Sequence, residues 1–448
     1  MKRTIALMIS AIILIFGSTP LALANSNTDF NYTPFVEYQL LSTHAVTLGP
    51  SFNPLTFCAR AGLVCYTPQF IRSAYDFPSS LTGTGQTIVI VDAYGSPTIS
   101  NDLALFDLVF GIPPPPSFTI ICPPGGCPSI TYNPRNIHGA LGWSIETSLD
   151  VEYAHAMAPG ANIVLDVAAS SSGNAINVAE SMVIPMFPGA IMSQSFGVPE
   201  YLIHNNNVQL LQAEKNYEEA MSLGWTVFAS AGDSGATNGI STPNANFPAS
   251  DPLVTAVGGT MGNPYPAGLA AESCPASGSC APSGYGGEQV WNEPEFIAAG
   301  GGAPSLIFSA PSYQEAIGLK MRTTPDVSYN AAVDGGVLVV WSACPACIGA
   351  TGPVFFIVGG TSAGSPQWAA IAALADQAAG KSLGFLNPTI YKIGSSGRYS
   401  TDFHDITVGD NQLVGTPTGF EAVTGWDAAS GWGTPNVANL IPDLISPP

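Results

Sequence analysis

The stretch Leu81 to Gly95, "LTGTGQTIVIVDAYG", sets how the rest of the chain is read. Its glycines mark a turn, Ile88 to Val91 is a continuous β-branched apolar run, and a carboxylate, Asp92, stands at the end of that run. A strand that is apolar on both faces is buried between two layers, as in a parallel sheet covered by helices. Similar runs recur at Ile163 to Val167, Gly189 to Met192, Thr226 to Ala229, Leu253 to Val257 and Val337 to Trp341, with helical stretches between several of them. The alternation predicts an α/β fold with a doubly wound, largely parallel sheet. Clusters of proline and glycine at Pro113 to Pro116, Pro124 to Gly126 and Gly284 to Gly302 read as surface loops.

Around that frame, 448 residues with 46% hydrophobic content are enough for a large core, as one big domain or two ordinary ones. The chain carries 31 acidic against 11 basic residues, a formal net charge of -20, although only 9% of its residues are charged. Most of that charge disappears as carboxylates titrate near about pH 4, which fits either an acidic working environment or an ordinary acidic secreted protein. So negative a chain argues against nucleic acid as a partner. Lys2 and Arg3, the apolar run Ile5 to Phe16 and the small-residue site Ala22-Leu23-Ala24 make residues 1 to 24 a secretory signal, with a retained N-terminal anchor as the alternative. After signal removal no membrane association is expected. The eight cysteines fall into four close pairs, Cys58 with Cys65, Cys122 with Cys127, Cys274 with Cys280 and Cys344 with Cys347. In an exported chain these read as local disulfides, "CPAC" at 344 to 347 having a redox or zinc motif as its alternative.

Three stretches carry candidate chemistry. "HGALGWSIETSLDVEYAHAMAPGAN" predicts a helix from about Leu141 to Ala158, ended by Pro159-Gly160. At about 100° per residue, Trp143, Glu146, Asp150, Tyr153 and Met157 share one stripe, while Ser148, Glu152 and His155 lie opposite. The i, i+4 spacing of Glu146 and Asp150 brings two carboxyls together, which raises at least one pKa and lets the pair share a proton. A helix whose acids merely face solvent is the plainer alternative. In "GWTVFASAGDSGATN" a strand runs into a glycine turn that displays Asp233, at the kind of strand end where catalytic groups of parallel sheets gather. The tripeptide Asp233-Ser234-Gly235 also suits a pepsin-like aspartic protease, but that chemistry needs two such carboxylates and the chain has one tripeptide. Finally, "GGTSAGSP" puts Ser362 at the start of a helix, where Gly359 and Gly360 permit close backbone approach and Pro366 is tolerated in the first turn. That serine is either a helix cap or a nucleophile whose oxyanion the helix N-terminus can stabilise.

The order Glu146…Asp150, "SAGDSG", "GGTSAGSP" resembles the sedolisin family of serine-carboxyl peptidases, subtilisin-fold enzymes in which glutamate takes the place of histidine. The likeness runs from Tyr66 to Pro435 and includes "VDAYGSP", "LDVEYAHAMAPGANI", "SQSFG", "FPASDPLVTAVGGT", "RTTPDVSYNA" and "FHDIT…TGWDAASGWGTP". It implies a subtilisin-like single domain at 66 to 448, with a largely parallel central sheet and helices on both faces. It also implies that Ser362 is the nucleophile, Glu146 its general base, Asp150 the carboxyl that orients Glu146, and Asp233 a protonated oxyanion-hole acid. Ser193 to Gly197, with Ser193, Ser195 and Gly197 as substrate-binding residues, and Val257 to Thr260 would line the cleft. One structural Ca²⁺ would be bound by Asp405 and Asp427 carboxylates and by the carbonyls of Ile406, Val423 and Gly425, although family members usually have glycine where Val423 stands. The family's large prodomain is not matched: residues 25 to 65 form only a short pro-region or N-terminal extension. The expected protein is a secreted, monomeric, acid-active serine-type endopeptidase acting on protein or peptide substrates. Its rival is an exported non-catalytic binding protein on a degenerate peptidase fold.

Overall fold

The structure, a computed structural model, describes residues 29–46, 53–136, 139–203, 207–262 and 284–448. The expected signal and the Cys274, Cys280 pair lie outside them. Seven strands form a parallel sheet in the spatial order Phe118–Ile121, Asn162–Ala168, Thr87–Ala93, Ile191–Gln194, Thr226–Ser230, Thr255–Met261 and Val327–Asn330. An eighth, Gln289–Val290, pairs antiparallel with the end of Thr255–Met261.

The period-2 geometry of a strand explains why the opening stretch is apolar throughout. Ile88 and Ile90 face one core with Leu149, Met157 and Ala369, while Val89 and Val91 face a second core with Ile176 and Ala213. Helices Ala140–Met157 and Gly364–Ala379 cover the first face, and Gly173–Val183 and Val208–Ser222 cover the second. Asp92 has the parity of Ile88 and Ile90, so its carboxyl points toward the helix that carries Glu146 and Asp150.

Two expected strands start later than their apolar runs. Ile191–Gln194 begins after Gly189, which holds a turn at φ 77°, and Thr255–Met261 begins after a turn in which the Asp251 carboxylate accepts the Leu253 N–H. A third expectation is corrected. Gly336–Trp341 belongs not to the central sheet but to a separate four-stranded one, pairing antiparallel with Val354–Gly359 and parallel with Cys65–Tyr66. Its apolar run reports cover on both faces, and the helix Ala140–Met157 supplies that cover from the far side. The same helix is therefore buried all round. Glu152 accepts the Val340 N–H at 3.0 Å and His155 lies 3.2 Å from Asp107, so the side expected to be opposite is also interior. Disulfides close Cys58–Cys65, Cys122–Cys127 and Cys344–Cys347. Among the described residues no helix is long and apolar enough to cross a membrane.

Candidate active site

The helix Ala140–Met157 delivers Glu146 and Asp150, one turn apart, to a point beneath the start of Gly364–Ala379. The chain reaches that start from Val354–Gly359 through Gly360, whose φ of 89° is a left-handed conformation that glycine adopts without strain. A single 3-10 turn, Thr361–Ala363, then presents Ser362. Its hydroxyl donates to Glu146 Oε2 at 2.9 Å and lies 3.2 Å from the Ser195 carbonyl. The Ser195 hydroxyl donates to Asp150 Oδ1 at 2.8 Å. Glu146, Asp150, Ser195 and Ser362 are all fully buried.

Among the described residues no cation offsets these acids. Burial raises the Glu146 pKa well above the ordinary carboxylate range, and the nearby charges of Asp150, Asp92 and Asp233 push it further, against a lowering by the Ser362 hydroxyl. Burial and Asp92 do the same to Asp150, and burial raises Asp92 itself. Glu146 Oε1 and Asp150 Oδ2 are buried without hydrogen-bond partners. Unpaired ionised oxygens in such a place are costly, whereas a protonated carboxyl is tolerated.

Asp233 follows the strand Thr226–Ser230 through Gly232, which holds φ at 113°. Its two oxygens are used unequally. Oδ1 accepts both the N–H and the hydroxyl of Thr361, each at 2.8 Å, while Oδ2 is buried with no partner. Burial, then the nearby Glu37, raises the Asp233 pKa well above the usual range. Oδ2 is thus the atom left to carry a proton, and it borders the space that Gly360 leaves open.

Of the residues expected at the cleft, Ser195 contacts this group, Gly197 pairs with Thr33, and the Ser193 hydroxyl is bonded to Ser365 at 2.8 Å. Val257 to Thr260 stand in the sheet under the helix Gly364–Ala379, Val257 packing where Gly364 lacks a side chain. Thr361, which fixes Asp233, was not anticipated from sequence; its position inside "GGTSAGSP" was its only signal. The C-terminal loop is separate from this site. Asp427 accepts N–H groups from Val423, Ala429 and Ser430, and Asp405 accepts the Gly425 N–H and the Tyr399 hydroxyl, so the 423 to 425 turn joins the two carboxylates. Among the described residues no three His, Cys, Asp or Glu side chains gather as a metal site. No hydrogen bond to the carbonyls of Ile406, Val423 or Gly425 occurs among those described.

No protein-family model matches the chain. It is 32% identical over 397 residues to kumamolisin of Bacillus sp. (strain MN-32), covering 86% of this chain and 64% of that protein. It is 31% identical over 245 residues to sedolisin of Pseudomonas sp. (strain 101), covering 51% of this chain and 37% of that one. It is 29% identical over 344 residues to tripeptidyl-peptidase 1 of Homo sapiens, 68% and 52% respectively. The chain therefore spans 37 to 64% of the length of these curated relatives. Among solved structures, Pseudomonas sedolisin, a serine-carboxyl proteinase complexed with two molecules of pseudo-iodotyrostatin, matches with a TM-score of 0.69 and 25% identity over 86% of this chain and 99% of that chain.

Proposed function

Since this chain belongs to the sedolisin family of serine-carboxyl peptidases, we propose that it is a secreted, acid-active serine-type endopeptidase that cleaves protein and peptide substrates through an acyl-enzyme on Ser362. The observation that carries this reading is the 2.9 Å hydrogen bond from the Ser362 hydroxyl to Glu146 Oε2. A serine hydroxyl is a weak nucleophile until an adjacent base takes its proton, and the base within reach is a carboxyl. Glu146 accepts that proton as Ser362 attacks, then returns it to the leaving amine. Asp92, Glu146 and Asp150 lie in one another's fields, so they lose protons as a unit. A singly ionised cluster keeps one charge to receive the serine's proton while its remaining protons satisfy the unpaired oxygens. Asp150 acts on Glu146 through that field and is itself held by Ser195.

The developing oxyanion is stabilised by the Ser362 N–H and by protonated Asp233 Oδ2, with Thr361 holding the Asp233 carboxyl in place. Below the raised pKa of Asp233 the donor is present; above it the donor is lost, so activity fades toward neutral pH. Residues 1 to 24 are the signal, 25 to 65 the short extension and 66 to 448 the peptidase domain. A Ca²⁺ ion suits the C-terminal loop: Asp405 and Asp427 offer carboxylates, and the carbonyls of Ile406, Val423 and Gly425 are free of described hydrogen bonds. Bound there, the ion would tie the loop together and take no part in catalysis.

Ser362→Ala and Glu146→Gln test the mechanism together. With denatured protein as substrate at about pH 4, each variant loses on the order of 10⁴-fold or more in kcat. Retained hydrolysis in Ser362→Ala sinks the mechanism. Inhibition of the wild type by pepstatin points instead to paired aspartates.

A further inference from the structure

The helix that carries Glu146 and Asp150 also holds the edge of a strand. In the four-stranded sheet, Gly336–Trp341 pairs from Val337 to Trp341 with Val354–Gly359 on one side, while Cys65–Tyr66 covers its other side only at Gly336 and Val337. From Leu338 onward that second edge has no neighbouring strand among the described residues. Alternate residues turn their backbone groups toward such an edge, and side chains meet them here. The Tyr153 hydroxyl donates to the Leu338 carbonyl at 3.1 Å, Glu152 Oε2 accepts the Val340 N–H at 3.0 Å, and Asp102 Oδ2 accepts the Ser342 N–H at 3.1 Å. Ser144, on the same helix as Glu152, accepts the indole N–H of Trp341 at 3.0 Å.

These bonds close a ring through the reactive groups. Val354–Gly359, the partner of Gly336–Trp341, leads through Gly360 into the turn that presents Ser362, and Ser362 returns to the helix through its 2.9 Å hydrogen bond to Glu146. From Glu146, about 9 Å of helical rise reaches Glu152, one hydrogen bond crosses to Val340, and paired strands run back to the serine. A slide of the helix along the strand edge therefore changes the distance between Glu146 and Ser362. The helix Gly364–Ala379 also packs on Ala140–Met157, but apolar packing is non-directional, whereas hydrogen bonds to a strand edge fix the register. Glu152 is fully buried and is not used in the chemistry above. Burial raises its pKa well above the ordinary carboxylate range, the Val340 N–H lowers it, and the charges of Asp102 and Asp107 raise it again. Its Oε1 is buried with no hydrogen-bond partner, so the neutral acid is the form this place tolerates, with Oε2 as the acceptor. The Val340 N–H requires an acceptor of that shape and not a charge.

We propose that Glu152 is a positioning residue for the reaction, with Tyr153 acting beside it: by holding the uncovered edge of Gly336–Trp341 at a fixed register along the helix, they set the distance between Ser362 Oγ and Glu146 over which the proton is transferred. The proposal rests on the peptidase reading above. Both residues act through Glu146 and Ser362 and not on the bond being cut. Without the Glu152 acceptor the Val340 N–H is buried and unpaired, and the edge gains by moving until another acceptor reaches it. A displacement of reacting groups by about 1 Å can cost about 100-fold in rate. The residues expected to hold substrate, Ser195 and Gly197, belong to other elements, so binding is not expected to move with the chemical step.

Glu152→Leu keeps the bulk of the side chain but offers no acceptor, and Glu152→Gln keeps one. Both are compared with the wild type in steady-state hydrolysis of a fluorescence-quenched peptide that the wild type cleaves at about pH 4, on samples whose near-UV circular dichroism shows a folded domain. Glu152→Leu is expected to lower kcat by about 10-fold or more while KM changes by less than about 2-fold, and Glu152→Gln to recover kcat to within about 3-fold of the wild type. A role in stability alone would lower Tm and leave kcat per folded molecule unchanged. A folded Glu152→Leu protein with the wild-type kcat therefore overturns the inference, as does a loss in Glu152→Gln equal to that in Glu152→Leu, or a rise in KM as large as the fall in kcat. Should Glu152→Leu not fold, Tyr153→Phe decides by removing a single hydroxyl: a fall in kcat of about 3-fold or more at unchanged KM supports the inference, and a wild-type kcat overturns it. If the wild type cleaves neither denatured protein nor peptide, the peptidase reading falls too; an active wild type with unaffected variants leaves that reading standing.

Discussion

At Arg322 a buried cation faces a buried carboxyl, whereas the buried carboxyls of Glu146, Asp150 and Asp233 have no cationic partner among the described residues. Arg322 and Asp326 are fully buried and joined by two hydrogen bonds of 2.7 and 2.6 Å. The guanidinium also donates to the carbonyls of Thr323, Ala249 and Val254, and Asp326 also accepts from the Ala256 N–H and the Tyr391 hydroxyl. That pair sets a buried guanidinium against a carboxyl that has a full set of donors. In the candidate active site burial is as deep, but among the described residues no Arg or Lys approaches and oxygens are left unpaired, an arrangement that favours protons on all but one of the acids. The same physics of desolvation fixes a charge in one region and removes it in the other.

The largest effect comes from breaking the paired region. Arg322→Ala leaves Asp326 buried against fewer donors and should cost about 3–5 kcal/mol of stability. Denaturant unfolding at constant pH reads the loss. A cost below about 1 kcal/mol would mean that the remaining donors suffice for Asp326, and the two regions would differ less than their geometry indicates.

A change in the unpaired region sharpens the contrast. With Asp233 as the proposed oxyanion donor, Asp233→Ala should lower kcat by about 10²- to 10³-fold. Asp233→Asn offers an N–H donor at every pH, so it keeps more activity than Asp233→Ala and moves the alkaline limit of the activity profile upward. An Asn variant whose activity falls at the same pH as the wild type would take Asp233 out of the oxyanion hole.

These features differ in how far local sequence reveals them. The two-faced apolar run at Thr87–Ala93 and the i, i+4 spacing of Glu146 and Asp150 are local, so both were legible, and so was the glycine-rich entry to Ser362. Which sheet Gly336–Trp341 joins was not, because an apolar run records cover on both faces and not the identity of the neighbour. Burial of Glu152 and His155 was missed for a related reason: a helix enclosed on all sides loses the polar stripe that would orient it. The segment around Phe35 is weakly patterned since its partners, Gly197, Ser195, Gly359 and Ser362, stand far along the chain. Its conformation is dictated by those edges and not by its own periodicity.

The smallest effect per group spreads over the whole molecule. Burial pushes Asp166, Asp251 and Asp376 up to about 7 and Glu180 up to about 8. In the unfolded chain the same carboxyls titrate near about 4. Between the two values the folded protein holds protons that the unfolded chain has released, so stability is complete below the unfolded pKa and declines as pH rises through the folded one. Each group contributes at most about 1.4 kcal/mol per pH unit across that window. Thermal unfolding should therefore give its highest Tm near about pH 4 and a falling Tm toward about pH 7. Glu180→Gln, which keeps one acceptor oxygen for Gln194 or Asn216 and carries no titrating proton, should make that fall shallower. The Arg322 guanidinium takes no part: burial lowers its pKa, but the interaction with Asp326 more than restores it, so it stays charged. A Tm that climbs between about pH 4 and 7 would show that these acids ionise freely in the folded state, and the line between fixed and removable buried charge would vanish with it.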